Sequence, residues 1–165
     1  MKNKKGLFQR TSFAAALLLS ATTVVGAPET VTERLSPETR QILIEEMQLL
    51  ASAMGPLHTA VVTGEHESVA QHARQIYDSF VLKQKLGADQ RKEIGTLPQQ
   101  FIAADRDFHE LAAHLAEAGE QQKPALERFY FEEMTRSCQS CHEDFAGKRF
   151  PGLANGGTKQ NTHEH

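Results

Sequence analysis

Three residues near the end of the chain are equipped for chemistry: Cys138, Cys141 and His142, within "SCQSCHEDFAGKRF" (Ser137 to Phe150). Cys138 and Cys141 are the only two cysteines of the 165 residues, three apart, and His142 directly follows the second. On a helix, positions i, i+3 and i+4 share a face, so both thiols and the imidazole point the same way. Such a face suits covalent haem, with two thioethers to the vinyl groups and His142 on the iron. Other chemistries also use paired cysteines. A dithiol–disulfide couple belongs in a thioredoxin-like βαβ context, and no strand-type runs accompany this one. A structural zinc site needs four ligands, commonly two Cys or His pairs, and only His163 and His165 of the tail could complete it. A disulfide across one helical turn would constrain almost nothing. The immediate histidine favours haem c, one group, covalently attached.

The elements that must position this triplet begin after a leader. "MKNKKGLFQR" carries Lys2, Lys4, Lys5 and Arg10 and no acid, and "FAAALLLSATTVVGA" follows as an apolar run ending in small residues. That layout predicts a signal peptide over residues 1–27, cleaved near Gly26 or Ala27, and a periplasmic location. Phe13 to Ala27 is shorter than the roughly 20 residues a membrane-spanning helix needs. Covalent attachment of haem c outside the bacterial cytoplasm fits this export. The chain has 18 basic and 21 acidic residues. Without the four basic residues of the leader the net charge is about −7, which argues against nucleic acid or an anionic membrane as partner. About 138 residues remain, enough for one domain with its own core.

No Trp occurs, Ala, Leu, Glu and Gln are plentiful, and the composition favours helices. The first begins at "SPETRQILIEEM", with Ser36 as cap, Pro37 at the first position and Glu38 at the positive end. Leu43, Met47, Leu50, Met54, Leu57 and Val61 recur at spacings of four and three, the seam of a bundle helix. Pro56 is expected to kink it and Gly64 to close it. A second helix is expected from about His66 to Leu86, with Val69, Ala73, Ile76 and Phe80 inward. "GADQRKEIGTLP" reads as a connection with one short turn. A third follows Pro98, with Phe101, Ala104, Phe108, Leu111, Leu115 and Ala118 as its stripe. The fourth starts at Pro124, and Leu126, Tyr130, Met134, Cys138, Cys141 and Phe145 form its inner face. Four amphipathic helices with short connections predict an all-α fold, an antiparallel up-down-up-down four-helix bundle over residues 28–151. Residues 152–165 read as a flexible C-terminal tail with little to bury.

With haem attachment on the last helix rather than near the amino terminus, the sequence resembles the class II cytochromes c, the cytochrome c′ family and its low-spin relatives. The resemblance rests on "CQSCHEDFAGKR" and on "EEMQLLASAMGPLHTAVVTGE" in the first helix, and spans about Ser36 to Arg149. It implies a left-handed bundle holding the haem between helices, His142 as proximal ligand, and a first-helix residue on the distal side. In low-spin members that residue is a methionine. Met47 matches the region best, about two turns before Met54, and the expected iron ligands are His142 and Met47. Met54, His58 or no sixth ligand are the alternatives. His66 and His72 read as exposed, and His109 and His114 as hydrogen-bonded or solvated flanks of the third stripe. Arg136 and Lys148 are candidate partners of the haem propionates.

These readings predict a periplasmic electron carrier that works with periplasmic redox proteins and is not an enzyme. The alternative is a cytochrome c′-like five-coordinate haem protein that binds nitric oxide or carbon monoxide. Class II relatives often pair through their first helices, so a homodimer is compatible with the sequence.

Overall fold

The computed structural model describes residues 30–79 and 86–154. The expected leader and most of the expected tail lie outside the described residues, as do Phe80 and the end of the second predicted helix. Among the described residues the fold is all-helical, with six α-helices and no strand. None of these helices is long and apolar enough to cross a membrane.

A 3-10 turn, Val31–Arg34, leads into α1, Pro37–Thr63. The α1 boundaries follow the local chemistry. The Ser36 hydroxyl accepts from the Thr39 amide, Pro37 occupies the first turn, and Gly64 ends the helix in the left-handed conformation at φ 74°. α1 continues through Pro56, so the helix is not broken there. α2 is His66–Asp78 and α3 is Ala88–Ile94, the short turn expected in the connection. α4, Gln99–Glu120, and α5, Pro124–Ala146, are long, and α6 is the single turn Pro151–Ala154.

The main core takes residues from four helices: Leu50, Leu57 and Ala60 of α1, Val69, Ala73 and Ile76 of α2, Phe108, Ala112, Leu115 and Ala116 of α4, and Met134 of α5. α4 is the central element, packed on α2 on one side and on α5 on another. It meets α2 almost backbone to backbone. A Cβ on Gly119 would lie 2.7 Å from the Ala70 amide nitrogen and 2.8 Å from the His66 carbonyl oxygen. Only glycine allows that approach. A second cluster closes the other end, where Val31, Leu35, Leu43, Leu86, Leu97 and Phe101 are buried with Phe145 of α5 against them. Glu93 of α3 fastens this end to the start of α1. Its carboxylate accepts from the Ser36 amide, the Ser36 hydroxyl and the Thr39 hydroxyl, and these bonds hold it below the usual carboxylate range.

The first helix turns differently from its predicted seam. Leu43, Leu50 and Leu57 are buried and Met54 and Val61 half-buried, but Met47 is 37 % exposed. The inward position of that turn belongs to Glu46, which is fully buried. An apolar seam read at spacings of four and three cannot separate adjacent positions when the inward one is a carboxylate, because a charged residue is normally assigned to solvent. His66 also departs from its exposed assignment. Its Nδ1 donates to the buried Glu127 carboxylate at 2.7 Å, tying the start of α2 to the first turn of α5. His72 is half-buried rather than exposed.

Candidate functional site

The predicted triplet lies on the last two turns of α5, and α5 is helical there because Pro124 starts it and nothing in "LERFYFEEMTRSCQSCHEDFA" interrupts it. The helix fixes the order of the three groups along one face. Cys138 packs against the main core, as do Met54, Tyr130 and Phe131 at its margin. Cys141 lines a groove of about 340 Å³ between α4 and α5, with Ala104, Leu111, Arg136 and Phe145 also in its wall. Phe145 sets its edge on the Phe101 ring at 5.4 Å, which locks the end of α5 onto the start of α4. His142 stacks on Phe150 with 4.1 Å between centroids and 15° between planes, so the chain just beyond α5 orients the imidazole.

Both cysteines are free. Burial raises the Cys138 thiol above its ordinary range. Burial also pushes Cys141 up to about 11, helped by the negative potential of Cys138, Asp105 and Asp144. A dithiol catalyst or zinc ligand works as thiolate, in electropositive surroundings that lower the pKa. These thiols sit in electronegative, half-buried surroundings and are held neutral, which disfavours both of those alternatives. The donor set fits haem c instead, with two free thiols at the CxxCH spacing for thioether bonds and the adjacent imidazole for the iron. His142 is pushed below its ordinary value by burial and then by nearby Arg149, so its imidazole is neutral at neutral pH, the form that can bind iron.

The surroundings of the triplet are half-buried rather than sealed. α5 carries two fully buried residues, Glu127 and Met134, against eight on α4. Tyr130, Phe131, Cys138, Cys141, His142 and Phe145 are all intermediate. They form an apolar face on which a planar group can lie. Of the cations considered for propionates, Arg136 lines the groove but already pairs with Glu132 at 2.9 Å and Glu133 at 3.2 Å. Lys148 is held at 3.0 Å by Glu33 of the opening turn.

Among the histidines, His58 is exposed and tilted against Phe131. His114 is exposed and stacks on Tyr130. Neither joins the triplet. His109 is 4 % exposed, and its Nδ1 donates to the Ile76 carbonyl at 3.2 Å. Sequence reasoning missed the group that His109 forms with Glu46 and Asp105. Asp105 and His109 stand four apart on α4 and so share a face, a signal available in the sequence; Glu46 could not be placed without the rotation of α1.

A family model described as cytochrome C′ matches residues 39–146. Comparison with curated proteins and with solved structures gave no match. The matched span runs from the first turn of α1 to the last residue of α5 and includes Cys138, Cys141 and His142. The chain belongs to the cytochrome c′ family, whose members bind haem c, and its two cysteines suit a single covalent haem.

Proposed function

We propose that this protein is a periplasmic electron carrier with one haem on Cys138 and Cys141, ligated by His142 and by a thioether from α1, Met47. The observation that carries the haem assignment is the CxxCH face itself: two neutral thiols and a neutral imidazole, half-buried on one helix and backed by aromatic residues. The family typically works in the periplasm, and its members are electron-transfer or gas-binding proteins, generally not enzymes. The basic leader supports export and the four-helix core supports the antiparallel bundle of the resemblance. When bound, the haem supplies a one-electron couple, and His/Met ligation would raise its potential. The residues around it hold it by two thioethers, present the His142 nitrogen, and shield one side with Tyr130, Phe131 and Phe145. The partners would be periplasmic redox proteins, and a second copy of the chain through α1 is the natural dimer partner in this class.

A second reading is favoured by one feature. Met47 is 37 % exposed while Glu46 takes the inward position, so α1 in this arrangement does not direct Met47 into the core. On this reading the iron has no sixth ligand from the protein and binds nitric oxide or carbon monoxide. An absorption spectrum of the ferrous protein with and without carbon monoxide decides between them. The carrier predicts a low-spin spectrum indifferent to the gas. A high-spin ferric form with ready carbon monoxide binding would overturn it in favour of the second reading.

A further inference from the structure

We propose that Glu46, Asp105 and His109 bind one divalent transition-metal ion, of the zinc class, in a buried site between α1 and α4 that uses none of the haem-attachment residues. Glu46 comes from α1, and Asp105 and His109 from one face of α4. One ligand atom from each lies within 4.8 Å of the other two. His109 Nε2 is 3.8 Å from Glu46 Oε1 and 3.9 Å from Asp105 Oδ1. Donors at about 2.1 Å on a tetrahedral ion are about 3.4 Å apart, so a contraction of a few tenths of an ångström along these two distances would bring each carboxylate into bonding register with His109. The two carboxylates would close on each other as the ion binds.

Three observations favour a cation there. Glu46 is fully buried, and neither of its carboxylate oxygens has a hydrogen-bond partner among the described residues. An ionised carboxylate in that condition costs several kcal/mol. The second is the tautomer of His109. The Ile76 carbonyl can only accept, so Nδ1 carries a hydrogen, which leaves Nε2, facing two carboxylates, as the ring atom able to bind a metal. That is the arrangement by which a backbone carbonyl orients a metal-bound histidine. The third is charge. With the imidazole bound as a neutral ligand, two carboxylates sum to −2, which a divalent ion would cancel in a buried site. One nitrogen and two oxygens suit zinc, manganese or ferrous iron better than a soft-metal site, and zinc outranks the other two in affinity. Burial, then Glu46, pushes Asp105 up to about 6, against the opposing effect of His109. The carboxylates are thus crowded enough to compete for any positive charge.

The test uses the full-length, haem-loaded protein, stripped with a chelator, incubated with zinc chloride and passed through gel filtration. One zinc per haem iron should be retained, and the melting temperature should rise by about 5–10 °C at zinc 100-fold above its Kd. Glu46→Gln keeps the shape of the side chain; it should fold, keep its haem and lose both the zinc and the thermal shift. Asp105→Asn gives a second reading should Glu46→Gln fail to fold. His163→Ala/His165→Ala, which removes the tail histidines outside the described residues, should keep the zinc. Zinc retained by Glu46→Gln and Asp105→Asn, or lost only with the tail histidines, would overturn the site. No retained zinc and no thermal shift in the wild type would also overturn it and leave a proton as the bound cation. Haem content is read separately from the Soret band, so failure of the haem assignment and failure of the metal site give different results.

Discussion

The two ends of α4 face opposite kinds of neighbour. Towards its C-terminus, Ala112, Leu115, Ala116 and Gly119 meet Val69, Ala73 and Ile76 of α2 in an apolar contact so close that a Cβ on Gly119 would strike backbone. Near its N-terminus, Asp105 and His109 meet buried Glu46, and Asp105 reaches Cys141 electrostatically. The buried face of the first end is optimised for packing, and its titratable side chains His114, Glu117 and Glu120 are turned out to solvent. The second buries carboxylates that weaken the apoprotein fold unless something positive joins them. Stability and function are therefore drawn from different turns of one helix, and substitutions at the two ends should change stability with opposite signs.

At the packed end the losses should be largest. Leu115 is fully buried, and Leu115→Ala should cost about 3–4 kcal/mol in denaturant unfolding, through lost transfer energy and the cavity left behind. Gly119→Ala should cost about 1–3 kcal/mol, because its methyl group has backbone atoms rather than a flexible side chain in its way. A Gly119→Ala protein as stable as wild type would mean that α2 and α4 do not approach this closely.

At the polar end Glu46→Gln should reverse the sign. In metal-free protein it removes a buried charge and should leave stability unchanged or raise it by up to about 2 kcal/mol. A loss of more than about 1 kcal/mol would show that the carboxylate is already well satisfied. The pH dependence follows from the same crowding. Asp105 has a folded pKa of about 6 against an ordinary 3.8, so between those values the fold binds more protons than the unfolded chain. Stability contributed by this group is fully present below about pH 3.8 and is lost as pH rises through about 6. Thermal melts of chelator-treated protein from pH 4 to 7 should show this decline superimposed on the other groups, and Asp105→Asn should remove it. With zinc present Asp105 is held ionised and the decline should disappear.

Much of the fold is legible in the sequence because helix ends are local chemistry. Ser36, Pro37, Gly64, Pro98 and Pro124 punctuate the chain where helices begin or end in the structure. The CxxCH face needs nothing beyond helical spacing. Glu46 is not legible in this way. Its burial depends on how α1 rotates against α4, and that rotation is a tertiary decision between two adjacent residues, Glu46 and Met47. Hydrophobicity favours Met47 inside; the structure turns it out, while Leu43, Leu50 and Leu57 stay in, at a cost that a partner for Glu46 would offset. His66 and Glu127 make the same point, because a histidine and a glutamate 61 residues apart bury each other only after α2 and α5 meet.

The smallest stability effect carries the sharpest functional reading. Met47 is partly exposed, so Met47→Ala should cost less than about 1 kcal/mol of stability. Met54 packs against the main core at its margin, and Met54→Ala should cost about 1–2 kcal/mol. If Met47 is the sixth ligand, its alanine variant converts a low-spin spectrum to high spin and opens the iron to carbon monoxide, while Met54→Ala leaves the spectrum intact. The reverse outcome would move the ligand one heptad along α1, to the methionine that packs against the main core. High spin in the wild type and in both variants would mean that α1 contributes no thioether, and that Glu46 rather than a methionine is the chemically consequential residue on its inner face.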